Sequence, residues 1–162
     1  NAIKALSELS LMLRKVLENE SHQLIPLHQE INFIESYLTI QKMRFEDKID
    51  INMKIDDACL QTPIPFMLLQ PLVENAIQHG SQLESNKNKL RLNAYIKHNR
   101  LIVKLMNKVP EIEGNKGFGI GLKNCRQRMA KLYNDDFELN LTKLENGYFE
   151  TFLTLPLGND ND

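Results

Sequence analysis

The chain of 162 residues is long enough for one domain with a sizeable core and a short helical extension. Its hydrophobic fraction of 42% and charged fraction of 25% are those of an ordinary globular protein. The formal net charge of -1 leaves no overall positive field, which argues against nucleic acid or an anionic membrane surface as a partner. Cys59 and Cys125 are too few for a disulfide framework and match no metal-ligand spacing, so we expect free thiols.

The first part of the chain is predicted to form two helices joined by a linker. The sequence starts at Asn1 rather than at a methionine, so we expect it to be part of a longer protein. Apolar residues recur every three or four positions over Ile3–Leu17, which indicates an amphipathic helix that needs a partner surface. Residues 19–26 break this pattern and are expected to connect, with a short extended piece, to a helix over His28–Phe45. That second helix carries four residues along one side: Ile31, Ile34, Leu38 and Gln41.

The middle of the chain combines a strand with a proline-marked helix. Apolar and polar residues alternate over Ile49–Ile55, which predicts a half-buried strand. Pro63 and Pro65 suit the approach and the first turn of a following helix. Pro71 then falls inside that helix, where it is expected to remove a backbone hydrogen bond and kink the helix before Glu74.

A hairpin and a lid are predicted next. Residues 89–97 and 101–106 form strands on either side of a turn at residues 98–100. Residues 108–116 have no periodicity and are expected to form a mobile lid. A helix over Leu122–Tyr133 follows.

The last elements complete an α+β pattern. Strands at 137–141 and 148–155 form a second hairpin, turned at Glu145–Gly147, and the tail 158–162 is polar. Helices mixed with two hairpins predict a two-layer sandwich, in which about three helices cover one face of a mixed sheet.

The segment Gln70–Gly80 reads Q-P-L-V-E-N-A-I-Q-H-G and forms a polar stripe on an otherwise apolar helix. Asn75 and His79 are four residues apart and share a helix face, with Glu74 and Gln78 one step round. Such a stripe suits either a solvated face or a metal site.

The run Gly117-Phe118-Gly119-Ile120-Gly121-Leu122 precedes the predicted helix over Leu122–Tyr133. Glycines ahead of a helix let backbone N–H groups approach an anion, and the helix N-terminus adds a favourable dipole. The alternative is a flexible turn. This helix also carries four basic residues: Lys123, Arg126, Arg128 and Lys131. They form either a solvated face or phosphate contacts. For Arg126 and Lys131 we favour solvation, and for the other two both alternatives stay open.

Three segments form a specific set that spans nearly the whole chain: Tyr37–Phe45, Ile64-Pro65 with Gln70–Ala76, and Gly119–Asn124 with Arg128 and Tyr133. This set resembles the sensor histidine kinases of the LytS type, whose ATP domain shares its fold with gyrase, chaperone and mismatch-repair ATPases. The resemblance implies the end of a dimerisation helix at 1–18, a linker at 19–26, an ATP-binding catalytic domain at 27–157 and a tail at 158–162.

The resemblance also implies a reaction and partners. The domain would use ATP and Mg²⁺ to phosphorylate a histidine upstream of this sequence, for relay to a response regulator of the LytTR type. The full-length protein would be a homodimer, with this domain in the cytoplasm and its N-terminal part in the bacterial cytoplasmic membrane. No nucleic acid is expected as a partner.

By the same resemblance, polar residues of the helix act at the phosphates. Asn75 would give an amide oxygen to Mg²⁺, which prefers hard oxygen ligands. Glu74 would orient a nucleophile or a metal-bound water, its alternative being a surface glutamate. His79 would donate to a phosphate or cap the helix C-terminus beside Gly80.

The phosphate cradle is assigned to the glycine run. Gly117, Gly119 and Gly121 would admit the phosphates, and backbone N–H groups of Leu122 and Lys123 would donate to them. A side-chain contact from Asn124 would add to these.

Two departures from the family pattern keep a rival interpretation open. Asn107 stands where many relatives have an aspartate that accepts the adenine amine, and its neutral oxygen should make a weaker bond. The Pro-His-Phe motif with the phosphoacceptor is absent, and His22 and His28 are interpreted as surface residues. The rival is therefore a degenerate kinase domain that acts as a dimerisation and regulator-binding scaffold. An ATPase or serine kinase of the superfamily is disfavoured by the segment Tyr37–Phe45.

Overall fold

Helices and strands are interspersed along the described parts of the chain. The computed structural model describes residues 2–18, 24–44, 48–80, 88–108 and 117–158. Its helices are α1 (Ala2–Glu18), α2 (Leu27–Arg44), α3 (Gln70–Gly80) and α4 (Gly117–Tyr133). Its strands are β1 (Leu24–Pro26), β2 (Ile49–Ile55), β3 (Pro63–Pro65), β4 (Asn88–Lys97), β5 (Arg100–Lys108), β6 (Glu138–Lys143) and β7 (Tyr148–Pro156).

Five strands form one mixed sheet in the order β2-β4-β5-β7-β6. Strand β2 runs parallel to β4, whereas the other three pairs are antiparallel. On β4, Leu90, Leu92 and Ala94 are buried. Lys89 and Arg91, at positions of the opposite parity, are exposed. Because successive side chains point to opposite faces of a strand, the sheet turns one face towards the core.

The helices supply the other half of that core, as expected for a two-layer sandwich. Buried residues of α2, α3 and α4 belong to the same apolar cluster as those of the sheet. The predicted α+β fold is confirmed. The side of α2 expected to face inwards is buried, and the helix-borne core includes Ile31, Ile34, Leu38, Val73, Ile77, Leu122, Cys125 and Met129.

Helix α1 keeps an exposed apolar side. The predicted helix extends by one residue at each end, to Ala2–Glu18. Leu6, Leu9 and Leu13 are 50%, 54% and 53% exposed. Leucines at this spacing lie on one helix face, so α1 offers an apolar surface for a partner.

Both predicted hairpins are present. The turn between β4 and β5 consists of His98 and Asn99, whose φ angles of 52° and 59° suit a two-residue turn that needs positive φ at both central positions. Arg100, expected in the turn, is instead the first residue of β5. The second hairpin joins β6 to β7 through Gly147, which has a φ of 78°.

The prediction for the prolines was wrong. Residues Pro63–Pro65 form β3, which pairs antiparallel with β1 rather than starting a helix. Helix α3 begins at Gln70, so Pro71 stands in its first turn. The N–H groups of a first turn have no intrahelical acceptor, and a proline there breaks no hydrogen bond and causes no kink.

The predicted start of α4 was also wrong. The helix begins at Gly117, and its first five residues include all three glycines of the run. Glycine disfavours helix by only about 1 kcal/mol relative to alanine, a penalty that does not forbid a helical first turn. The N–H groups without intrahelical acceptors are therefore those of residues 117–120, whereas the N–H groups of Leu122 and Lys123 fall within the helical ladder.

Several predictions concern residues outside the described ranges. Of the lid expected at 108–116, only Lys108 is described, and it ends β5. Of the linker 19–26, the described residues Leu24–Pro26 form the short extended piece β1. Cys59 and Cys125 are buried free thiols, as predicted.

Candidate functional site

Asn107 is the strongest sign of a ligand in the described part of the chain. It lies on the core-facing side of β5, opposite Leu90 of β4 and Phe149 of β7. Its side chain is 0% exposed, and neither Oδ1 nor Nδ2 has a hydrogen-bond partner among the described residues. A buried polar group left unpaired costs about 1–3 kcal/mol, so a ligand that pairs with this amide would recover that free energy.

A small apolar cavity lies on the same side of the sheet, but Asn107 is not among the residues that line it. Leu105 and Thr151, the neighbours of Asn107 on that face, help to line the cavity. Leu69, Leu72 and Val73 close it from the helical side. Its volume is about 10 Å³, so the face of a flat heterocycle would find an apolar surface here only by displacing side chains.

Helix α3 presents its polar residues at a half-buried level. Asn75 and Glu74 are both half-buried, next to the fully buried Ala76 and Ile77. Gln70 Nε2 donates to Glu74 Oε1 over 3.3 Å, one turn away. His79 lies in the last turn of α3, but its side chain is outside the described part, so its phosphate or capping role stays a prediction.

Glu74 also borders a second cavity of about 330 Å³. Residues of three helices line that cavity, including Leu6 and Leu13 of α1, Phe33 of α2 and Gln78 of α3. Asn75 is not among the lining residues. Glu74 and Asn75 therefore lie on different sides of α3, and Glu74 is on the side that faces α1.

Helix α4 brings the glycine run and its polar followers to the same layer as α3. Leu122 is buried and anchors the helix start, whereas Lys123 and Asn124 are exposed. The Cys125 thiol, whose pKa is raised by burial, donates to the carbonyl of Leu68 over 3.9 Å. The middle of α4 is thus fixed near the segment that leads into α3.

Glu30 of α2 is a buried carboxyl group that was not singled out from the sequence. Its side chain is 0% exposed and accepts backbone N–H bonds from Met67 (3.2 Å), Leu69 (3.1 Å) and Gln70 (3.2 Å). Desolvation raises the pKa of Glu30, although these bonds and the nearby Arg128 charge oppose the rise. Helical spacing carries the missed signal, since Glu30 shares a face with Leu27, Ile31 and Ile34.

Arg128 of α4 meets the same backbone segment from the other side. Its Nη1 donates to the carbonyl of Met67 over 3.1 Å, and its Nη2 donates to the carbonyl of Phe66. Both Nη groups of Arg128 are thus bound to backbone carbonyls, a role that was not predicted from the sequence. Arg126 is exposed, as expected, but its Nε donates to the carbonyl of Leu139 over 2.9 Å. Lys131 is exposed, as expected.

Two features are absent from the described ranges. No group of three or more His, Cys, Asp or Glu side chains among them could hold a metal ion. None of the described helices is both long and apolar enough to cross a bilayer.

Comparisons with known proteins agree with this architecture. A family model described as "Histidine kinase" matches residues 1–49. The sensor protein LytS of Oceanobacillus iheyensis is 36% identical over 169 aligned residues, which cover 95% of this chain. The chain spans 29% of the length of that relative.

Solved structures of histidine kinases share the fold at low sequence identity. The nucleotide-free catalytic domain of histidine kinase ThkA superposes with a TM-score of 0.61 at 16% identity, covering 83% of this chain and 95% of that domain. A complex of ThkA with the response regulator protein TrrA gives a TM-score of 0.62 at 17% identity. That match covers 98% of this chain and 50% of the kinase chain.

Proposed function

Because this chain belongs to the sensor histidine kinase family, and within it resembles the LytS type, we propose that it is the ATP-binding catalytic part of such a kinase. It binds ATP with Mg²⁺ and transfers the γ-phosphate to a histidine that lies outside these residues. A response regulator then receives the phosphate.

The buried amide of Asn107 is the observation that carries this proposal. Adenine offers an amine donor beside a ring-nitrogen acceptor, and an asparagine amide offers an acceptor beside a donor. Oδ1 and Nδ2 of Asn107 both lack partners among the described residues, so both remain available to such a ligand.

Asn75 and the start of α4 would hold the phosphates. The half-buried amide of Asn75 would supply one hard oxygen to Mg²⁺, with phosphate oxygens and waters as the other ligands. The N–H groups of residues 117–120 have no intrahelical acceptor and can donate to an anion at the positive end of the helix dipole. Exposed Lys123 and Asn124 add polar contacts at that end. Glu74 orients the acceptor, and His79 donates to a phosphate.

The partners follow from the same family. The kinase of a solved complex holds a response regulator, and we propose such a partner here, of the LytTR type. The exposed leucines of α1 suit a homodimer of the full-length protein, since they form one apolar helix face. We propose that this part lies in the cytoplasm and that the parent protein is anchored in the cytoplasmic membrane through its N-terminal region.

Calorimetric titration with a non-hydrolysable ATP analogue tests the proposal. We expect Mg²⁺-dependent binding by the unaltered chain and its loss in Asn107→Ala. Asn140→Ala is the matched control, because Asn140 is an exposed asparagine on strand β6. Equal losses in the two variants, or no binding by the unaltered chain at millimolar nucleotide, would contradict a base site at Asn107.

The scaffold alternative rests on the same residue. A neutral asparagine in place of a carboxylate weakens the bond to the adenine amine, and a domain without productive ATP turnover would then serve as a dimerisation and regulator-binding module. Regulator binding by a chain that binds no nucleotide would favour this alternative.

A further inference from the structure

The backbone that leads into α3 is held by charged side chains from two other helices. We call residues 66–70 the approach segment. Leu69 and Gln70 stand at the helix start, where N–H groups lack intrahelical acceptors, and both donate to Glu30 Oε1. The N–H of Met67 donates to the other oxygen, Oε2. A carboxylate on α2 therefore caps α3 from a distance of about forty residues in sequence.

Arg128 binds the carbonyl groups of the same segment, whereas Glu30 binds its N–H groups. It donates to the carbonyls of Phe66 and Met67, and the Cys125 thiol, one turn earlier in α4, donates to that of Leu68. Met67 has a φ of 59°, a conformation that costs free energy for a residue other than glycine. Such a conformation persists where the surroundings determine it, and here they do so from both sides.

This arrangement places ionisable side chains where apolar side chains would cost less free energy to bury. Glu30 is fully buried and Arg128 is half-buried, with its Nε buried and unpaired among the described residues. Replacing buried ionic groups by apolar residues is often neutral or stabilising, so charges kept in such a place point to a requirement for geometry. The geometry concerned is the position of α3 relative to α4, because Glu30 and Arg128 both bind the approach segment, which leads into α3.

We propose that Glu30 and Arg128 are positioning residues for the kinase reaction, which set α3 so that Asn75 meets a metal ion held by phosphates at the start of α4. This inference rests on the proposed function. Neither residue touches the nucleotide. Their effect reaches the site through the approach segment and the rigid first turns of α3.

The Mg²⁺ dependence of nucleotide binding separates positioning from simple stability. The base contact at Asn107 and the N–H groups of α4 bind ADP without metal, whereas the gain in affinity on adding Mg²⁺ requires Asn75. In Arg128→Lys, which keeps the charge but loses the two-carbonyl fork, we expect metal-free ADP affinity to stay close to that of the unaltered chain. The gain from Mg²⁺ should fall by about tenfold, the effect of losing one good contact.

Arg126→Lys is the matched control, because Arg126 is also on α4 and also donates to a backbone carbonyl, that of Leu139. It should keep the full Mg²⁺ gain. Glu30→Asp should lose the gain, and Glu30→Gln should retain part of it because its one oxygen still accepts from Leu69 and Gln70. An unchanged gain in Arg128→Lys, or equal losses with and without metal, would overturn the inference alone. Absence of ADP binding by the unaltered chain would overturn the proposed function as well.

Discussion

Asn107 stands opposite Phe149 in the β5–β7 ladder, so that a fully buried amide without a described partner has an aromatic residue as its cross-strand neighbour. The neighbour on the other side, Leu90, is also apolar. An asparagine in such surroundings is costly unless something else pairs with it. If the proposed base site is right, the chemistry of that pairing sets the preference between ATP and GTP.

Asn107→Asp should tighten ATP binding. A carboxylate makes a charge-assisted bond to the adenine amine, worth roughly 1 kcal/mol more, or a few-fold to tenfold in affinity. GTP binding should stay nearly unchanged, because guanine presents a carbonyl where adenine presents the amine. Titration of the variant with both nucleotides measures this.

The same substitution has a second signature without nucleotide. An unpaired buried carboxylate is more costly than an unpaired amide, so the melting temperature of the free variant should fall. ATP should then raise it more than in the unaltered chain. Weaker ATP binding, or an equal change for ATP and GTP, would show that Asn107 is not the adenine contact.

Asn75→Ala should abolish the gain in ATP affinity that Mg²⁺ produces. The substitution removes the only protein oxygen that we assign to the metal, while leaving the helix intact because alanine favours helix. Asn140→Ala, at an exposed position of β6, serves as the control and should bind as before. A bulky residue at Gly119 should also prevent binding. Calorimetry with and without Mg²⁺ distinguishes these results, and a full Mg²⁺ response in Asn75→Ala would remove Asn75 from the metal site.

These 162 residues should not label themselves with phosphate. The four histidines are His22, His28, His79 and His98, and none has the sequence neighbours of a phosphoacceptor. Incubated with radiolabelled ATP, the chain should instead phosphorylate a separate helical fragment that carries the Pro-His-Phe motif. Acid-labile phosphate on the chain alone would contradict this prediction.

The stability difference between the unaltered chain and Glu30→Gln should depend on pH. The pKa of Glu30 is raised in the folded chain, mainly by desolvation, so the folded state binds more protons than the unfolded state in the window above the ordinary Glu pKa of about 4.3. Stability from this group is fully present below that pKa and is lost as pH rises through the raised value. Melting temperatures from pH 4 to 8 should therefore move in favour of the glutamine variant. A constant difference would contradict a raised pKa.

Residue patterns predicted most of the elements correctly because burial on one side imposes a period. The alternation over Ile49–Ile55 became β2 with the same limits, and the apolar side of α2 became its buried side. Both hairpin turns followed from local chemistry. In each of these elements, the pattern of apolar residues follows directly from which side of the element is buried.

The errors concern features that depend on distant partners. Pro63–Pro65 became a strand because β1 pairs with it, which no local pattern indicated. The contacts of Glu30 and Arg128 with the approach segment join residues about forty and sixty positions apart, so the helical spacing that puts Glu30 on a buried face could not identify its partners. The roles of Asn75 and the glycine run remain predictions, since they require a nucleotide.

The short ribbon of β1 and β3 has one more consequence. Prolines occupy three of its six positions, Pro26, Pro63 and Pro65, and none of them can donate a backbone hydrogen bond. With half of its backbone donors missing, the ribbon is a poor template for a further strand, and in the described part of the chain it has two strands. The place where the N-terminal helix joins the rest of the described chain is thereby protected from edge-to-edge aggregation.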